Sequence, residues 1–247
     1  MYSFWPVSAA MSLLTAVLTA LTDALTPVAG GTAAALAVVA LTVAVRLLLL
    51  PLGVAQVRAE KARARIAPRL AEAAARYRNT PEKLAAEQMK VYSEAGTSPL
   101  AGCLPSLAQI PVVIALYGVF IGAGEAPTPL LEHALAGVEL GATAAAAGGA
   151  GAPVFVPLLA LLAAVAWASR RYVLLPASAA NPAPAPEQAG ILRVMSYMPY
   201  TTVLFAAFVP LAAGLYLLAS TAWTVGERVL LRRVVPAPVL RGGSSRR

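Results

Sequence analysis

The sequence predicts an all-α polytopic membrane protein: five transmembrane helices, a cytoplasmic helical hairpin and an N-terminal interfacial amphipathic helix. Three observations carry this reading. Of the 247 residues 59% are hydrophobic and 12% charged, where a soluble domain carries about 25% charged residues; the mean hydropathy is +0.73. Long uncharged stretches recur, and the segment 24–57 holds one charged side chain, Arg46. The remaining eighteen Lys and Arg gather on one side of a consistent topology, as the positive-inside rule requires.

A net charge of +8 and a pI near 10.1 would suit nucleic acid, but the charges are segregated, and placement matters more than sum. No DNA partner is expected. A lone cysteine, Cys103, excludes a disulfide framework and a cysteine metal cluster, and a lone histidine, His133, offers little for zinc. No metal or other cofactor is expected. Arg46 is the first basic residue, so the N-terminus lacks the basic region of a cleaved signal. The "LAGC" at 100–103 looks like a lipoprotein box but follows a highly charged segment.

Residues 1–29 are assigned to an extracytoplasmic N-terminus. Within 4–22, Ser8, Ser12, Thr15, Thr19 and Thr22 form a polar stripe beside Met11, Leu14, Leu18, Leu21 and Leu25. Such sidedness suits a helix lying in the membrane plane; if it spanned instead, the N-terminus would move inside. The first span is 30–54. Residues 55–98 form a basic cytoplasmic hairpin with nine Lys or Arg and five acids over 55–95. Its first arm has Ile66, Leu70 and Tyr77 on one side and Pro68 as a kink; its second opens with Thr80 as N-cap and Pro81 at the first helical position and stops at Gly96. Thin apolar content predicts a well-solvated, mobile hairpin.

The second span is 99–123, followed by an acidic extracytoplasmic loop, 124–152, and a third span, 153–172, ending at Arg170-Arg171. A Pro/Ala linker occupies 173–191. From Val194 to Gly226 no residue is charged, and basic residues flank both ends. One span needs about 20 residues and would put one basic flank outside. Two short spans, 192–208 and 209–227, keep both flanks inside, with bends supplied by Pro199, Pro210 and Gly214. A basic cytoplasmic tail, 228–247, completes a plasma-membrane chain with its N-terminus outside and its C-terminus in the cytoplasm.

Arg46 is costly at a helix centre, about 2.5–3.5 kcal/mol on insertion scales. It lies roughly 12 Å before the cytoplasmic end near Val54, at 1.5 Å per residue, and every Asp and Glu lies in a loop or at a segment end, away from it. Two readings stand: the side chain snorkels to the headgroups, or it faces a wet cavity between helices, with Thr42 one turn earlier on the same face. In the second span Gln109 is an amide within apolar surroundings. Ser106 and Tyr117 lie about 60° and about 80° around the helix from it. Gln109 is either an interhelical hydrogen bond or part of the same cavity.

The layout and local motifs resemble the YidC/Oxa/Alb membrane protein insertases. "VRLLLLPL" (45–52) is similar to the family's first-span motif and aligns Arg46 with its groove arginine. The hairpin and second span, 67–120, are similar nearly throughout, most sharply in "SPLAGCLPSLAQIP" (98–111); "MSYMPY" (195–200) and "VPLAAGLY" (209–216) resemble the last two spans. With no large domain ahead of the first span, the chain looks like the compact form. It departs from the pattern at Ser98, where an Asn is usual, at Leu217, where a Trp usually follows Tyr216, and at Ser220-Thr221, where Ser-Asn is frequent.

The resemblance implies five helices around a hydrophilic groove open to cytoplasm and lipid. Arg46, Gln109, Thr42, Ser106, Tyr117 and Tyr216 would line it. Client transmembrane segments would pass through it from the cytoplasm into lipid. The hairpin residues Arg58, Lys61, Arg63, Arg65, Arg69, Arg76, Arg78 and Lys83 would contact nascent membrane-protein clients, the ribosome and the targeting machinery; the Sec translocon is a further implied partner. The hairpin charge equally suits a topology determinant at anionic lipid. No phosphate-binding loop, catalytic triad or metal ligand set appears, so the expectation is a facilitator and not an enzyme. Two rivals are a small anion transporter or channel built on Arg46, and an assembly chaperone that does not insert its clients.

Overall fold

Within an apolar segment only a helix satisfies every backbone N–H and C=O internally, and helices dominate the computed structural model, which describes residues 5–96, 110, 114–121, 129–176, 190 and 194–236. The chain forms two compact units.

The first unit begins with α1 (Trp5–Ala29), a turn of 3-10 helix at Gly30–Thr32, and α2 (Ala33–Leu48). Gly30 takes a φ of +51°, which glycine adopts without strain, and α1 folds back to pack against α2. The apolar stripe of α1 faces this core: Met11 and Leu18 are buried, and Leu14, Leu21 and Leu25 pack beside them. Four of its hydroxyls donate within the helix, as where Ser12 donates to the Ser8 carbonyl and Thr19 to that of Thr15, each at 3.0 Å. The helix runs to Ala29, seven residues past the expected end.

Residues 114–120 are helical and bury Leu116, Val119 and Phe120 in the same core. The expected loop after the second span has structure of its own. Strands β1 (Ala134–Leu135) and β2 (Val138–Glu139) pair antiparallel around Ala136 and Gly137, both at positive φ as a tight two-residue hairpin requires. Next come α5 (Ala152–Ala168), α6 (Met198–Ala206) and α7 (Leu211–Val234). The loop buries Leu130, Val138 and Leu140, and its carbonyls at Ala142 and Leu140 accept the N–H groups of Leu211 and Ala212 at 2.9 Å. Those two donors open α7 and have no partner within the helix, so the loop caps this end of the bundle.

The last two helices meet at 207–210, where Pro210 precedes α7. Gly214 lies inside the continuous helix α7; a Cβ there would come within 2.8 Å of Leu158 Cδ2, so its small size lets α5 approach. Leu36, Leu47, Leu48, Leu161, Leu204 and Phe208 point outward, a surface suited to lipid. Two stretches, Ser8–Leu48 and Ala144–Leu174, are long and apolar enough to cross a membrane. The chain is an all-α membrane protein, with one minimal hairpin of strand among the described residues.

The second unit contains α3 (Leu50–Arg76), α4 (Pro81–Glu94) and the end of α7 from Gly226. Helix α3 continues through Pro68, and Val57, Ala62, Ile66, Ala67 and Ala73 are buried along it. Pro81 opens α4, Val91 is its buried residue, and Gly96 follows its end at a φ of +63°. Arg69 bridges to Glu94 at 2.5 Å and holds its carboxyl below the usual carboxylate range.

Helix α3 is fastened to the end of α7. Glu60 pairs with Arg228 and, at 3.1 Å, with Arg232. Lys61 Nζ donates to the carbonyls of Arg232 at 2.7 Å and Val235 at 2.6 Å, a cation satisfying the orphan acceptors at a helix C-terminus. Arg232 also donates to the Val173 carbonyl at 2.9 Å, and Val57, Leu231 and Val235 form the apolar part of the contact.

Candidate functional site

Arg46 sits in the last turn of α2, half-buried, and donates through its guanidinium to the hydroxyl of Ser220 on α7. Ser220 is 5% exposed. One turn earlier on α7, Tyr216 is equally buried and interacts with both the Ser220 hydroxyl and the Arg46 charge. Two helices distant in sequence thus bring a cation, an alcohol and a phenol together inside an apolar bundle. Each can exchange hydrogen bonds with a polar chain or with water; none is a carboxylate that would neutralise the arginine.

The other expected groove residues divide. Thr42 is 1% exposed, and its hydroxyl donates to the Val38 carbonyl at 2.7 Å on its own helix. Tyr117 is half-buried, with its ring centroid 6.3 Å from that of Phe205 on α6. The Tyr216 ring meets Phe120 at a centroid distance of 5.5 Å in a tilted arrangement. Gln109 and Ser106 lie outside the described residues, as does Cys103.

Of the hairpin cations, Arg58, Arg65, Arg76, Arg78 and Lys83 are exposed on α3, α4 and the turn between them, and Arg76 lies 5.7 Å over the Tyr77 ring. Arg69 is engaged by Glu94, and Arg63 is half-buried. Lys61 is occupied as the cap of α7. Among the described residues no three His, Cys, Asp or Glu side chains come together to hold a metal.

Ser220 was noted in the sequence only within the Ser220-Thr221 departure and not as a groove residue. Its spacing was the further signal: it follows Tyr216 by one helical turn and so shares its face. Ser220→Ala removes the acceptor from a charged donor, an interaction worth about 1.5–3 kcal/mol. We expect a lower thermal midpoint in detergent with the helical content kept. An unchanged midpoint would mean that water replaces the hydroxyl without cost.

The family model described as "60Kd inner membrane protein" matches residues 25–237. The chain is 30% identical over 207 residues to the membrane protein insertase YidC of Oceanobacillus iheyensis, covering 82% of this chain and 75% of that one. It is 31% identical over 216 residues to the inner membrane ALBINO3-like protein 2, chloroplastic, of Chlamydomonas reinhardtii, covering 81% of this chain and 50% of that one. A shorter match, 46% over 85 residues, joins it to the membrane protein insertase YidC of Clostridium perfringens, 34% of this chain and 36% of the other. The chain therefore spans from about a third to three quarters of the length of these relatives. The family match covers both the helices that bring Arg46 to Ser220 and the basic hairpin, and the chain belongs to the 60Kd inner membrane protein family, that of the YidC/Oxa/Alb proteins.

Proposed function

We propose that this chain is a membrane protein insertase, moving client transmembrane segments from the cytoplasm into the bilayer along a hydrophilic groove that carries Arg46. The observation that carries the reading is Arg46 held inside an apolar bundle by a neutral hydroxyl, with the Tyr216 phenol alongside. A hydrophilic client segment entering hydrocarbon loses its water, and each unsatisfied backbone group costs several kcal/mol. A wet half-path past Arg46, Ser220 and Tyr216 shortens that crossing, and the guanidinium attracts acidic residues in the client. Burial of the client's apolar helix in lipid supplies the driving force. Gln109 and Ser106 complete the polar wall in this account. The exposed cations of α3 and α4 suit a phosphate-rich ribosomal surface, with salt-dependent affinity, and nascent clients or the targeting machinery and Sec translocon.

Five spans, an outside N-terminus and a cytoplasmic C-terminus in the plasma membrane follow from the charge distribution. A single cysteine at Ser3, in a Cys103→Ser background, is expected to react with an impermeant maleimide from outside intact cells. Reaction only after permeabilisation would make α1 a sixth span, as its 25 residues and its packing on α2 permit. The function itself is tested by expression in insertase-depleted cells, where growth and client insertion are expected to return. A well-expressed chain that restores neither would favour a chaperone that assembles clients without inserting them.

A further inference from the structure

A pocket of about 220 Å³ opens between α5, α6 and α7. Four hydroxyl residues line it, Ser169, Thr202, Thr221 and Thr224, with an apolar wall that includes Leu162 and Val225. We propose that it binds a phospholipid whose phosphate is esterified to a polyol, with phosphatidylglycerol as the type. This goes beyond the insertase reading and does not depend on it. It rests on the end of α5 lying at headgroup level, where Trp167 and Tyr197 are each about half exposed, the ordinary position of interfacial aromatic residues.

The hydroxyl geometry selects the ligand. Thr221 donates its proton to the Leu217 carbonyl at 2.6 Å, and Thr224 donates to the Ser220 carbonyl at 2.9 Å. A carbonyl can only accept, so both protons are committed to the helix, and these two oxygens keep lone pairs for a donor. For them the matching ligand group is a donor. A bare phosphate diester has none; a glycerol or inositol hydroxyl does.

The charge selects further. Arg170 directly follows Ser169, and its guanidinium lies 4.3 Å over the Tyr197 ring, two residues before the lining Pro199. The stacking fixes a positive charge next to the lining Ser169, and that charge favours an anion nearby. Basic pockets between transmembrane helices are a recurrent site for anionic headgroups. Choline headgroups lack a donor, and ethanolamine brings an ammonium towards Arg170. The apolar wall takes the first methylenes of an acyl chain, and the volume holds a headgroup while the tails remain in the bilayer. The predicted order is phosphatidylglycerol, then phosphatidylethanolamine, then phosphatidylcholine.

The test is native mass spectrometry of the full chain from mild detergent, with equimolar phosphatidylglycerol, phosphatidylethanolamine and phosphatidylcholine of matched acyl chains. One phosphatidylglycerol retained about tenfold over phosphatidylcholine is expected, about 1.4 kcal/mol of selectivity. Thr221→Val with Thr224→Val keeps shape and removes both acceptors; Arg170→Gln removes the charge. Each should erase the preference while circular dichroism shows unchanged helix, whereas Arg233→Gln, on an exposed residue of the other unit, should leave it intact. Equal retention of the three lipids, or a preference that survives both sets of substitutions, would overturn the proposal. So would displacement by soluble glycerol phosphate at millimolar concentration, which would make the site one for a soluble phosphate ester.

Discussion

Arg46→Ala is expected to lower client insertion about tenfold or more, while Arg46→Lys stays within about threefold of wild type. The loss corresponds to about 1.4 kcal/mol or more of attraction removed from the polar client segment, next to the lower end of the about 1.5–3 kcal/mol range for hydrogen bonds to charged groups. Lysine keeps the charge but not the planar fork, so it attracts an acidic client residue and holds Ser220 less well. The effect should grow with the number of acidic residues in the translocated segment and shrink when they are neutralised. Protease protection of a client with a graded series of N-terminal Asp substitutions measures both trends. Equal insertion by Arg46→Ala across the series would leave the apolar slide into lipid as the whole mechanism.

Glu60→Ala is expected to free the start of α3 from the end of α7 and to reduce insertion several-fold without unfolding the bundle. Glu60 holds Arg228 and Arg232 together, and Arg232 reaches on to the Val173 carbonyl. Its removal leaves two cations one turn apart without their shared counter-ion. Because all three side chains are about a quarter to a third exposed, solvent screening holds the cost to about 1–2 kcal/mol. That suffices to loosen a contact whose apolar part is Val57, Leu231 and Val235. Spin labels at positions 64 and 233 should show a broadened distance distribution, and Glu60→Arg with Arg228→Glu should restore part of the order. A narrow distribution in Glu60→Ala would show that Lys61 and the apolar contact hold the helices alone.

What was legible in the sequence was local. Pro81 and Gly96 bounded α4 because helix starts and stops act within one turn, although the Thr80 hydroxyl at the N-cap position makes no capping hydrogen bond. The Met11–Leu18 stripe marked the buried side of α1 because periodicity is a property of one helix. The resemblance of 45–52 to a family motif aligned Arg46 with the family's groove arginine, but pairing required the fold. Arg46 and Ser220 are 174 residues apart, Glu60 and Arg228 168 apart, and no periodicity links such positions. Lys61 illustrates the limit: among nine hairpin cations it read as a surface contact, yet its ammonium closes the end of α7. Gly214 read as a bend because glycine often marks one; in the structure its missing side chain is what Leu158 occupies.

The measurement that tests the central claim most directly uses proteoliposomes containing only this chain and a single-span client synthesised beside them. The account predicts a protease-protected client fragment that is absent from protein-free liposomes and much reduced with Arg46→Ala, with no anion flux through the same vesicles. Anion flux that depends on Arg46, with no protected fragment, would contradict it and make the chain a transporter.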